Sequence, residues 1–250
     1  MTAEPTAVAR PNTPIPQTPE ETEPPPPTPA EPPSTPDPFP GNGPWEITFE
    51  AADGLLLSGT LYGKTGPGIV LVPMYPGGQD GWAAFAEQAA EAGYRALTFD
   101  LRGHGSSEGP SDFEAAPQDI LAALGYLQGL GAEPGVLMGP GEGGTAAILA
   151  AADVEKLAGL VAISSPRSRE GLELSDADLA RLDVPTLWLA SRHDMTQDIE
   201  VLHDLAGSAD KTLWIYEGSS LHGTYIFEGA DGPDLSRRLF EFLSRVTAGP

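Results

Sequence analysis

The 250-residue chain carries 36 acidic and 13 basic side chains, a formal charge of −23, and no cysteine. That length fits one domain with an appendage and a core large enough to be independently stable. The charge excludes nucleic acid and an anionic membrane surface as partners, and the missing cysteine excludes disulfides, thiolate chemistry and sulfur-ligated metals.

Residues 1–44 hold 16 of the 27 prolines, mixed with Thr and Glu. Such a segment cannot offset its ordering entropy, and its composition predicts an extended linker or tether, partly polyproline II. The N-terminus lacks the basic-then-apolar pattern of a signal peptide, and no apolar run approaches the roughly 18 residues of a membrane span. The chain as given is therefore expected to be soluble, with residues 45–250 as its folded domain.

From Trp45 the composition is globular. Trp45 to Glu50 and Leu55 to Tyr62 alternate as a β-hairpin around Ala52-Asp53-Gly54. Gly68 to Met74 is a short continuous apolar run, as in a strand buried on both faces of a parallel sheet. A Gly-rich loop and a helix from Trp82 to Ala92 follow, with Gly93 as its stop. Tyr94 to Leu101 is a second buried strand, and Ala116 to Leu130 a helix with Ile120, Leu121, Leu124 and Leu127 at helical spacing.

Gly135 to Ala151 reads as strand, tight turn and helix. Leu157 to Ser164 and Pro185 to Ala190 are strands, Gln197 to Leu205 a helix, Lys211 to Tyr216 a strand and Asp234 to Val246 an amphipathic helix. This alternation predicts an α/β fold with a mostly parallel sheet of about eight strands between helices. The interval from Ser165 to Asp183 leaves room for one small excursion and no large lid.

Two kinds of chemistry compete for the turn. Gly139, Gly141 and Gly144 match the G-x-G-x-x-G of a dinucleotide fold, whereas Gly139 and Gly143 match the outer glycines of a G-x-S-x-G nucleophile elbow. The dinucleotide reading fails on context. Four or more strands precede the turn, the next strand ends in Ser164-Ser165 without a ribose-binding carboxylate, and Pro140 removes a backbone donor. The elbow reading requires an acid after a later strand and then a His, and Asp194 and His222 stand in that order.

At these residues the chain resembles the α/β-hydrolase superfamily, in particular small lidless esterase, dienelactone-hydrolase-like and serine-peptidase-like members, over roughly Trp45 to Val246. Asp100-Leu101-Arg102-Gly103-His104-Gly105-Ser106-Ser107 is similar to the D-x-R-G-x-G-x-S segment. Asp183 to Asp194 is similar to the strand and turn that deliver the triad acid, and Tyr216 to Thr224 to the loop that delivers the triad histidine.

The resemblance implies a carboxylic ester or related acyl hydrolase with a small-molecule substrate and no cofactor or metal. His222 is the implied base and Asp194 its orienting carboxylate. The backbone N–H groups of Glu142 and of Tyr75 or Met74 are the implied oxyanion hole. Where relatives read G-H-S-E-G-G this chain reads Gly139-Pro140-Gly141-Glu142-Gly143-Gly144, so Gly141 stands in the serine's place and cannot attack a carbonyl. One expectation is therefore a hydrolase with a degenerate or displaced nucleophile, drawn from Ser164, Ser165, Ser106 or Ser107. The other is an inactive pseudoenzyme that binds a small ligand or a partner protein in the cleft.

Glu142 is expected to serve the helix start, His104 to be structural, and Asp100 and Arg102 to hold their loop. His193 and His203 are expected to be solvated. Residues 1–44 resemble the spacers of bacterial lipoproteins, which implies a surface-tethered extracytoplasmic protein whose signal and anchor precede the given chain. Without that tether the expectation is cytoplasmic.

Overall fold

The computed structural model describes residues 39–133, 135–194 and 196–248. The linker expected over 1–44 thus lies outside the described residues for 1–38. Strands β1 (Trp45–Glu50) and β2 (Leu56–Tyr62) form the expected hairpin, with Trp45 opposite Leu61. Next come β3 (Gly68–Leu71), α1 (Ala83–Glu91), β4 (Arg95–Phe99), α2 (Ala116–Gly129), β5 (Gly135–Pro140), α3 (Gly141–Ala151) and β6 (Leu157–Ile163). A two-residue-strand hairpin, β7 (Ser168–Arg169) and β8 (Leu172–Glu173), leads to the short helix α4 (Asp176–Ala180). The chain ends with β9 (Thr186–Ser191), α5 (Thr196–Leu205), β10 (Lys211–Tyr216) and α6 (Gly232–Thr247).

The eight main strands lie in the order β1-β2-β4-β3-β5-β6-β9-β10, antiparallel at β1, β2 and β4 and parallel from β4 onward. Strand periodicity sends alternate residues to opposite faces, and the core divides accordingly. Val70, Leu97, Leu137 and Trp188 pack with residues of α2, α3 and α5 on one face. Ile69, Ala96, Val136 and Leu187 pack with α1 and α6 on the other.

Differences from the expected spans have local causes. β3 stops before Met74 because Pro73 has no N–H for the ladder, although Val72 still donates to the Met138 carbonyl at 2.8 Å. The helix expected from Trp82 opens with a 3₁₀ turn, Gln79–Trp82. A second 3₁₀ turn, Gly223–Glu228, follows the His222 loop. The excursion after β6 is small, as the interval required, and α4 begins with a capping box between Ser175 and Asp178. No helix among the described residues is long and apolar enough to cross a membrane.

The charge of −23 bears on stability. Surface ion pairs contribute little each, while the like-charge excess opposes compaction. The thermal midpoint is expected to rise as NaCl increases from about 0.01 to 1 M, over which the Debye length shrinks from about 30 to 3 Å. A differential scanning fluorimetry series checks this, and a falling midpoint would mean that the ion pairs outweigh the repulsion.

Candidate active site

The loops after β3, β5, β6, β9 and β10 all lie at the carboxyl ends of the parallel strands, where open α/β sheets form their crevice. At the centre, β5 passes directly into α3 at Gly141, with Pro140 still extended (φ −100°, ψ 154°) and Gly141 left-handed (φ +52°). This sharp strand-to-helix reversal presents position 141 to the crevice. It closes tightly, since a Cβ on Gly143 would run into the Pro73 carbonyl oxygen.

Asp194 sits in the turn after β9, where its N–H donates to the Ser191 carbonyl at 3.1 Å. Its two carboxylate oxygens each lie 3.0 Å from His222 Nδ1. A carboxylate accepts, so Nδ1 carries the proton and Nε2 of the neutral ring is left as the acceptor. A Cβ added at Gly141 would stand 3.0 Å from that Nε2 and 3.3 Å from Met74 Cγ. Position 141 and the imidazole are therefore brought face to face.

Several side chains hold the His222 loop. Ser191 Oγ donates to the Leu221 carbonyl at 2.7 Å, and Ser164 Oγ, on a residue with φ +52°, accepts the Gly223 N–H at 3.1 Å. Arg192 grips Glu217 through two bonds of 2.9 and 2.7 Å and reaches Glu200 at 3.0 Å. That grip holds the Glu217 carboxyl below its usual range. Ser219 Oγ accepts the Leu221 N–H at 3.2 Å, and Ser191, Ser219 and Arg192 carry no signal of these roles in the sequence, because the loops they join follow different strands.

None of the candidate replacement serines bonds His222 Nε2. Ser164 is bonded to Gly223 N–H. Ser107 Oγ donates to the Asp100 carbonyl at 2.6 Å and accepts the Ser58 N–H at 2.9 Å. Ser165 is fully buried with its Oγ unbonded among the described residues, packed where a Cβ on Gly144 would be. Ser106 is exposed.

Glu142 lies in the first turn of α3, buried, with Oε1 2.8 Å from Arg169 Nε of β7 and Oε2 buried without a partner among the described residues. Its N–H is one of the first-turn donors that have no intrahelical acceptor. No hydrogen bond among the described residues takes up the N–H of Met74 or Tyr75. Tyr75 is exposed, and its ring meets those of His104 and Phe113 edge-on at 5.8 and 5.0 Å.

His104 Nδ1 lies 2.9 Å from the Arg102 carbonyl, within its own turn. Asp100 accepts the N–H groups of Gln79 and Ser106, while Arg102 pairs with Asp119 and Asp53 rather than with Asp100. His193 is exposed, and half-buried His203 contacts Asp204. Among the described residues no group of three or more His, Cys, Asp or Glu is placed to hold a metal ion.

A parallel sheet with a strand-turn-helix elbow, faced by an Asp and His pair from later loops, defines a hydrolase-type architecture. A family model described as alpha/beta hydrolase fold matches residues 67–181. The Pyrococcus furiosus esterase Pf2001 is similar in structure, with a TM-score of 0.72 at 18% identity over 83% of this chain and 92% of that one. The α/β hydrolase GrgF from Penicillium sp. sh18 gives 0.69 at 18% identity over 82% and 99%. The esterase EaEST from Exiguobacterium antarcticum gives 0.65 at 16% identity over 80% and 99%. No curated protein matches by sequence. The chain has the α/β-hydrolase fold.

Proposed function

We propose that the chain is an acyl-ester-binding relative of the carboxylesterases in which His222 and Asp194 persist as base and orienting carboxylate and Gly141 holds the nucleophile's place. The observation that carries this is His222 Nε2, which is bonded to no hydroxyl among the described residues yet stands 3.0 Å from where a side chain at 141 would begin. An acyl-enzyme at this position is closed to glycine. The remaining route is direct: Nε2 takes a proton from water as its oxygen attacks the ester carbonyl, and the proton passes to the departing alcohol. The N–H groups of Glu142 and of Met74 or Tyr75 are the proposed partners of the oxyanion.

The test is hydrolysis of p-nitrophenyl butyrate. Turnover is expected to be linear and burst-free, no more than a thousandfold or so above water, and lost in His222→Ala. A stoichiometric burst, or covalent labelling by a fluorophosphonate, would show a displaced serine and overturn the proposal. One observation favours a second reading, binding without turnover: the Met74 side chain already crowds position 141 at 3.3 Å. Wild-type protein indistinguishable from His222→Ala would select it.

A further inference from the structure

Beside this site, between the start of α1 and the start of α6, lies a second feature, which shares Met74 with it. It is an open cavity of about 760 Å³, a size typical of small-molecule sites, which run from ~300 to 1,000 Å³. Aromatic side chains pack beneath and beside it. The rings of Trp82, Phe85 and Phe227 lie 5.7, 5.8 and 5.9 Å apart as three mutual pairs, Trp82 donating Nε1–H to the Val72 carbonyl at 2.7 Å, and of the three only half-buried Phe227 opens appreciably to the cavity, Trp82 and Phe85 being buried beneath it. Exposed Tyr225 adds a fourth ring to the lining.

The rim carries the carboxylates of Asp80 and Glu228, and no Lys, Arg or His lines the cavity. Neither carboxylate is hydrogen-bonded or ion-paired among the described residues, although arginines elsewhere, such as Arg102, Arg192 and Arg237, are each engaged by two acids. Met74 forms the wall toward the elbow: it lines the cavity, and its Sδ would lie 2.5 Å from a Cβ on Gly223.

Apolar walls take up an apolar body, and unpaired carboxylates on a chain of charge −23 attract cations while repelling anions. We propose that the cavity walled by Tyr225 and Phe227 binds an organic monocation with an apolar body, a quaternary or protonated alkylamine, with Asp80 and Glu228 selecting its charge. The apolar body lies against Phe227 and Tyr225, and the charged head stays at the rim, where it keeps part of its hydration.

Calorimetric titration of the full chain with decyltrimethylammonium and with decanoate, each below its micellar concentration, tests this. The ammonium probe is expected to bind at least tenfold more tightly than decanoate. Ala84→Trp, at an exposed position of the cavity wall, is expected to weaken it at least tenfold. The double change Asp80→Asn with Glu228→Gln, also at exposed positions, is expected to erase the preference between the probes. Equal binding of both probes, binding of neither, or ammonium binding unchanged in Ala84→Trp would overturn the proposal. The readout is occupancy rather than turnover, so it stands or falls independently of the ester chemistry at Gly141 and His222.

Discussion

Gly141→Ser is expected to raise hydrolysis of p-nitrophenyl butyrate on the order of a thousandfold or more over the natural chain. The variant is also expected to show a burst of p-nitrophenol and fluorophosphonate labelling at the substituted position. The backbone there already has the left-handed φ of +52° that an elbow imposes on its nucleophile. A serine pays strain of about 1–2 kcal/mol for that conformation, a cost of a few degrees in thermal midpoint. Its Cβ would stand 3.0 Å from His222 Nε2 and 3.3 Å from Met74 Cγ, so both side chains must give by a few tenths of an ångström, which Met74 does most readily through its three rotatable bonds. The hydroxyl would then stand within reach of an acceptor already oriented by Asp194 at 3.0 Å.

The gain should vanish in the double variant Gly141→Ser with His222→Ala, since a serine without its base is a weak nucleophile. A folded Gly141→Ser protein that neither labels nor turns over would locate the fault in the N–H pair from Glu142 and Met74 or Tyr75. It would also favour the binding-only reading. Met74→Ala in the same background separates crowding from misplaced donors, because it removes the thioether while leaving the backbone N–H in place.

What the sequence could and could not carry follows from where each signal resides. The parallel strands are runs of consecutive apolar residues, so β5, β6 and β9 were legible from composition and length alone. The order Gly141, Asp194, His222 is a one-dimensional property, and the structure brings those three positions together. The hairpin β7 and β8 was not legible, because two residues per strand leave no period to read. Nor was the role of the Met74 side chain, a residue read only as a backbone donor, since it acts through Gly141 and Gly223, 67 and 149 residues further along the chain. The capping box at Ser175 and Asp178 was written in the sequence as S-x-x-D, but its helix, α4, is only five residues long and carries no periodicity. Arg102 could be read as a loop residue, yet its partners, 17 residues ahead and 49 behind, come from the folded chain.

That last cluster is where a single change should do the most damage. Asp119, fully buried in the first turn of α2, accepts the Arg102 backbone N–H at 3.0 Å, Nε at 3.0 Å and Nη2 at 2.6 Å. Arg102 Nη1 continues to Asp53 at 2.7 Å, and these carboxylates, Asp119 first, hold the guanidinium well above its ordinary pKa, so it stays charged. Asp119→Ala removes the buried partner and leaves that charge with only Asp53, whose side chain is 42% exposed. Breaking a buried pair in this way costs about 3–5 kcal/mol, which for a domain of this size lowers the thermal midpoint by roughly 10 °C.

Replacing both partners, Arg102→Met with Asp119→Leu, should recover much of the loss, because the desolvation penalty leaves with the charges. A double variant as unstable as Asp119→Ala would mean that the backbone bond to Arg102 N–H, rather than the ion pair, holds the loop. The consequence reaches the crevice. The loop anchored by Arg102 carries His104, and the His104 and Phe113 rings brace Tyr75, one of the two proposed donors from the β3 side. In the Gly141→Ser background, Asp119→Ala should therefore lower kcat at temperatures where the protein is still folded. Unchanged kcat there would detach Tyr75 from the oxyanion hole and leave Met74 as its donor.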